Sequence, residues 1–323
     1  MSQERISSAF VGVTWLLILS GLYVPLHDLP GASCKAYNAP KIAFSVVCAL
    51  VSISSTVWTL YTQISLLARV SLGSQEGMLI AGAVLYYLMH LYFSLVLLCA
   101  TSLRLAGFLS RLDDYQSSYR SSMDSRKARI VLTAISIVAV LSKNAAVVFM
   151  IVAVMKLCGT IEPDSFEAST LQDCNLGVYL YTMSYLQFYF ELFRPASTLF
   201  LFIAVAMILG LEARRLNKEL SIQRLEILEN KPQYLESFRL RHGKLCSLIA
   251  DASVFLRHFL FPVYVLGIPF MLLFVKGCAD YGLSLAFLGW AIFDVIQVAV
   301  LTAVATLLGA WVSHQVRPFE VML

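Results

Sequence analysis

The sequence predicts an all-α integral membrane fold: a polytopic bundle of six to seven membrane helices with a short helical cytoplasmic anchor region. Three observations carry that expectation. Of the 323 residues, 59% are hydrophobic and 14% charged, where a soluble domain carries about 25% charged residues. Mean hydropathy is +0.76. Apolar runs recur along nearly the whole chain, and each reaches the roughly 20 residues that a helix needs to cross a hydrocarbon core about 30 Å thick. Only helices and closed barrels satisfy their backbone groups in lipid. The runs are continuous rather than alternating, so they read as helices and not barrel strands.

Seven stretches are expected, at 9–26, 42–66, 79–103, 130–157, 178–211, 252–275 and 283–312, and together they make residues 1–323 a single polytopic membrane domain. The fifth is too long for one upright crossing and is expected to tilt or to run beyond the bilayer. The segment 104–129 carries Arg104, Arg111, Arg120, Arg126, Lys127 and Arg129, and 212–251 is comparably basic. The segment 158–177 has no Lys or Arg and holds Glu162, Asp164, Glu167 and Asp173. Positive charge stays inside, so 104–129 and 212–251 read as cytoplasmic loops and 158–177 as external. The N-terminus lies outside if all seven stretches cross, and inside if the first does not. That first stretch runs into Gly21, Pro25, Pro30 and Gly31, where a helix tends to stop. It also admits a signal-peptide reading, although no clear cleavage site follows it.

The net charge of +4 is spread over a few loops with no basic patch of interleaved aromatics, so no nucleic-acid partner is expected. The seven cysteines and five histidines show no metal-ligand spacing. No catalytic motif is present. Neither a cofactor nor an enzymatic activity is expected.

Ionisable residues inside membrane helices are costly and usually functional. Lys143 falls in the fourth stretch, Glu191 and Arg194 in the fifth, Asp294 in the seventh and His90 in the third. Glu191 and Arg194 are three residues apart, share a helix face and can pair. These groups either line a polar cavity open to the outside or neutralise one another in the bundle, and the two readings are compatible. Tyr181, Tyr185, Gln187 and their neighbours continue aromatic character deeper than an ordinary interfacial belt. They suit either a small-molecule pocket or interface and core packing. Cys158 and Cys174 flank the external segment and could close it as a disulfide in an oxidising compartment, with Cys278 a rival partner. In 212–251 two helices are expected, broken at Pro232. On the second, Leu235, Phe238, Leu245 and Leu248 form an apolar stripe that is either ordinary packing or an oligomer contact.

Several of these pieces, taken in order, resemble the arthropod gustatory receptor family. They are the first stretch ending Ser20-Gly21-Leu22-Tyr23-Val24-Pro25, and the basic loop with Leu109, Arg111, Leu112 and Asp113. They continue with Leu216-Asn217-Lys218-Glu219-Leu220 and Arg239-Leu240-Arg241-His242-Gly243-Lys244-Leu245-Cys246. The resemblance implies a partly inserted first segment, a cytoplasmic N-terminus and six crossings. It further implies a multi-pass protein of the plasma membrane, a subunit of a homo- or hetero-tetrameric cation channel opened by a small-molecule tastant. Lys143, Tyr181, Tyr185, Gln187, Glu191 and Arg194 would then line the ligand pocket, and 212–251 would help form the anchor where subunits meet. The family's last helix, with its Thr-Tyr and Gln signature, has no counterpart before Leu323. The alternative is a seven-helix G-protein-coupled receptor. Against it, Leu103-Arg104-Leu105 follows the third stretch where Asp-Arg-Tyr is expected.

Overall fold

The computed structural model describes residues 6–25, 35–119, part of 130–148, 178–228, 232–280 and 285–322. Among the described residues there is no strand. A 3₁₀ turn over Ile6–Phe10 leads into α1, Val11–Leu19. Then come α2, Lys35–Leu67, α3, Gln75–Tyr92, and α4, Leu98–Tyr119. After these come α5, Val178–Leu228, α6, Pro232–Pro262, α7, Ile268–Asp280, and α8, Leu285–Met322. Single π turns at Phe93–Leu97 and Val263–Gly267 join α3 to α4 and α6 to α7. The second directly follows Pro262, which has no N–H to give the preceding turn. The described residues of 130–148 are helical. The rest of the expected fourth helix, to 157, and the external segment 158–177 lie outside the described residues.

Among the described residues five helices are long and apolar enough to cross a membrane: Ala39–Leu67, Gln75–Tyr119, Tyr189–Ser221, Glu236–Cys278 and Asp294–Val316. The chain is therefore a multi-pass all-α membrane protein. Residues 104–119, read as part of a loop, instead continue α4 as helix, whereas 212–228, expected to be helical, continue α5 without a break and a new helix starts at Pro232. At 51 residues, α5 is about 75 Å long at 1.5 Å per residue, more than twice the hydrocarbon thickness. The charges in 104–119 and 212–228 do not end the helices, because past the bilayer water and ion pairs satisfy them.

Those extensions are bound to one another. Arg241 on α6 donates through Nη2 to Glu212 and through Nη1 to Glu219 on α5, both at 2.8 Å. The Tyr115 hydroxyl of α4 donates to the same Glu212 oxygen at 3.3 Å. Arg111 meets Asp251 at 3.0 Å, and Asn217 Nδ2 donates to the Gln315 carbonyl of α8 at 2.6 Å. The apolar stripe of α6 is consumed here. Phe238, Leu245 and Leu248 are buried in the chain's own core, so they do not supply the oligomer contact that the pattern allowed. The Leu235 side chain lies outside the described residues.

The first stretch is too short to cross. Its 3₁₀ turn and α1 together cover Ile6–Leu19. Its first amides, which no helix carbonyl can reach, are satisfied by α4. Ile6 N donates to Gln116 Oε1 at 2.9 Å, and Ser7 N and Oγ donate to the two Asp113 oxygens at 2.8 and 2.6 Å. α1 then ends in a Schellman motif. Gly21 N donates to the Ile18 carbonyl and Leu22 N to that of Leu17, with Gly21 at φ +69°, the left-handed residue the motif needs. Beyond it the Leu22 carbonyl accepts from Thr101, and Val24 N donates to Ser102. The segment thus lies antiparallel along α4 from Gln116 to Thr101. Trp15 stacks under Lys41 and Gly21 abuts Cys48 and Ser52, so α1 and α2 point the same way. The start of α1 lies at the end of the bundle that carries Arg111, Arg239 and Arg241.

In lipid, helix association comes from close packing rather than from apolar burial. Gly210 of α5 lies flat against the Trp311 ring of α8, where any Cβ would overlap the ring. Large apolar side chains such as Phe44, Leu50, Trp58 and Tyr61 of α2 stand exposed, as a lipid-facing surface requires.

Gly21→Ala puts an L-residue at positive φ, at about 1–2 kcal/mol, with its Cβ 2.7 Å from Ser52. It lowers the thermal midpoint of the detergent-solubilised protein. Gly243→Ala, where a Cβ meets nothing within 4 Å, leaves the midpoint unchanged or raises it.

Candidate functional site

The most buried of the five spans is Tyr189–Ser221, 67% buried against 17% for Asp294–Val316. It carries the site. Arg194 is 1% exposed, and an unpartnered guanidinium there would be untenable. It is satisfied by one turn of α2. Nε donates to Ser52 Oγ at 2.9 Å, Nη2 to the Ser52 carbonyl at 2.6 Å and Nη1 to Thr56 Oγ1 at 2.6 Å. Ser52 and Thr56 are four residues apart and so lie one above the other on the α2 face. The planar fork of Arg suits such a row of acceptors. Phe190 stacks on the guanidinium from below at 5.4 Å.

Glu191 is buried one turn earlier and lies within electrostatic reach of Arg194 and of Tyr86. The expected Glu191–Arg194 pairing is thus only part of the arrangement, since the hydrogen bonds of Arg194 go to α2. Pro195 follows Arg194 and has no N–H for the Glu191 carbonyl four residues back. Gln297 Nε2 of α8 approaches that open carbonyl at 3.5 Å.

One turn outward on α8, Asp294 is buried and accepts from the Tyr86 hydroxyl of α3 at 3.3 Å. His90, one turn inward from Tyr86, is fully buried, its ring 4.5 Å from that of Tyr86. Phe270 and Phe274 of α7 extend the aromatic wall, with Phe270 4.9 Å from Tyr86. A polar layer therefore runs through the interior, built from α2, α3, α5 and α8. It offers hydrogen-bond donors and acceptors beside aromatic faces, with one guanidinium and two carboxylates fixed by the helices. Among the described residues no group of three or more His, Cys, Asp or Glu could hold a metal ion. The layer offers a surface for recognition.

Of the sequence-selected residues, the structure brings together Glu191, Arg194, Asp294 and His90. Tyr181, Tyr185 and Gln187 lie on α5, but their side chains are outside the described residues, as is Lys143. Cys158 and Cys174 are also outside them, whereas Cys278 is free and half-buried in α7. Sequence reasoning missed Ser52, Thr56, Tyr86 and Gln297. Two signals could have found three of them. A buried arginine demands acceptors, and Ser52 and Thr56 form one i, i+4 pair among the hydroxyl residues of α2. A proline one residue after Arg194 leaves a carbonyl that some amide must approach.

Comparison of the chain with protein-family models, with curated proteins and with solved structures finds no match in any of the three.

Arg194→Met removes the donor that holds α2 to α5 and leaves the layer with uncompensated carboxylates. By analogy with buried pairs in soluble proteins the loss is about 3–5 kcal/mol. Arg194→Lys keeps the charge but cannot span Ser52 and Thr56 together, so it recovers only part of the thermal stability. A melt of the three proteins in one detergent checks this order.

Proposed function

We propose that this chain is a gustatory-receptor-like chemosensory receptor, a subunit of a tastant-gated cation channel in the plasma membrane. In this reading six stretches cross the bilayer and the first is a partly inserted cytoplasmic segment. Subunits assemble as homo- or hetero-tetramers through the cytoplasmic helix extensions. A small molecule enters from outside and binds against the polar layer.

The observation that carries the reading is the burial of Glu191 and Arg194 in the most buried span, with Asp294 of α8 and His90 of α3 buried in the same polar layer. Ionisable groups survive inside a membrane where they serve a ligand or an ion, and here aromatic walls stand beside them. The N-terminal segment supports the same reading. Its 3₁₀ turn and nine-residue helix fall short of the roughly 20 residues of a crossing, and its first residues dock on Asp113 and Gln116 of α4. A seven-helix G-protein-coupled receptor needs that stretch to cross and its N-terminus to emerge outside.

Two measurements in transfected cells test the proposal. An epitope tag on the N-terminus stays hidden from antibody on intact cells and becomes accessible on permeabilisation. Glu191→Gln reaches the surface at near wild-type level and changes the concentration of tastant giving half-maximal cation influx. Tag labelling on intact cells would return the seven-crossing topology. An unchanged response at normal surface expression would remove Glu191 from the ligand site.

A further inference from the structure

Among the described residues, His90 and Gln297 bring to the polar layer hydrogen-bonding capacity that is not used up within it. The His90 imidazole is 0% exposed, and neither Nδ1 nor Nε2 has a hydrogen-bond partner among the described residues. The Gln297 Oε1 is likewise buried and unpartnered there, although its Nε2 approaches Glu191. Buried polar atoms are satisfied in the great majority of native structures, so each exception calls for an explanation.

The helix register places the two at a similar depth in the bundle. α3 and α7 are antiparallel, since Leu79 meets Gly277 while Gly82 meets Phe274 and Tyr86 meets Phe270. α7 and α8 are antiparallel in turn, because Gly267 at the start of α7 meets Val298, thirteen residues into α8. Hence α3 and α8 point the same way. They are joined at one level by the Tyr86–Asp294 hydrogen bond. His90 and Gln297 each follow that level by one turn in the same direction. Arg194 of α5 lies within electrostatic reach of His90, and the rings of Tyr86 and Phe93 flank the imidazole at 4.5 and 6.3 Å.

We propose that His90 and Gln297 form the hydrogen-bonding contact of a ligand subsite that takes a small, neutral, hydroxyl-bearing compound with an aromatic or apolar body. This deepens the receptor reading and rests on it. The class follows from the chemistry of the two groups. A neutral imidazole has one donor and one acceptor, and a hydroxyl matches either nitrogen, accepting from the N–H or donating to the bare nitrogen. An amide oxygen only accepts, so the same hydroxyl can donate to Gln297. A carboxylate ligand has nothing to give Gln297 Oε1 and would add to the two carboxylates already in the layer. An ammonium ligand has nothing to accept from the imidazole and would compete with Arg194. The neighbouring rings supply the apolar wall that such pockets share.

The test uses the full chain in detergent, labelled with ¹⁵N-histidine, and phenol and toluene as probes. The chain has five histidines, and the signal lost in His90→Leu assigns His90. Phenol is expected to move the His90 ring-nitrogen resonances in a saturable way, while toluene, of the same shape without the hydroxyl, does not. Gln297→Leu is expected to weaken the phenol response about tenfold, the worth of one hydrogen bond. His90→Leu removes an unpartnered buried group, so it stays monodisperse and melts no lower than wild type. The proposal is overturned by no phenol-dependent change at His90, by an equal change with toluene, or by unaltered phenol affinity in Gln297→Leu. None of these readouts needs cation flux, so a protein that fails as a channel can still pass, and a working channel can still fail.

Discussion

The Arg194 fork on α2 is the contact around which the rest of the interior is arranged. A guanidinium inside a bundle has no water to fall back on, so its acceptors must be built into the fold. Ser52 and Thr56 provide them on one face of α2, which fixes the height and rotation of α2 against α5. Gly21 then has to be a glycine, because the tip of the N-terminal segment touches Cys48 and the Ser52 side chain on the same part of α2. Pro195 opens the Glu191 carbonyl to Gln297, which draws α8 to the same layer. Asp294 and Tyr86 bring in α3.

Below that layer a different constraint governs. The helices outrun the bilayer, and past the lipid their charges hold them together instead of stopping them. Arg241 is nearly buried between Glu212 and Glu219, and Tyr115 closes on the same carboxylate. One residue thereby joins three helices. The N-terminal segment is fastened to this region at Asp113 and Gln116 and to the upper layer at Gly21, with Ser197 of α5 donating to the Leu16 carbonyl between them at 3.3 Å. It is tied to the helix extensions at one end and to the polar layer at the other.

Much of this was legible in the sequence. Apolar run length gave five of the expected spans, because bilayer thickness dictates it, and the Gly21 within the first stretch marked the end of its short helix. Glu191, Arg194, Asp294 and His90 stood out because charge and imidazole are conspicuous among leucines. The helix end was misjudged where Arg104 and Arg111 marked the edge of lipid. Charge reports the end of the membrane and not the end of the helix. Ser52, Thr56 and Tyr86 were hidden because hydroxyl residues are common in membrane helices, where they bond back to their own helix, as Ser45 and Thr59 do. Only the three-dimensional register shows which of them face an arginine. The stripe at Phe238, Leu245 and Leu248 was ambiguous for the same reason, since an apolar face looks alike whether it meets its own bundle or another copy.

The central claim is that Arg194 binds α2 through Ser52 and Thr56, and a double-mutant cycle measures that most directly. Arg194→Met and the pair Ser52→Ala with Thr56→Val are made separately and together, and unfolding free energies are compared in one detergent. The account predicts strong non-additivity, a coupling of about 1–3 kcal/mol, because the second change removes partners already lost. Simple additivity would contradict it and would mean that Arg194 finds its acceptors elsewhere.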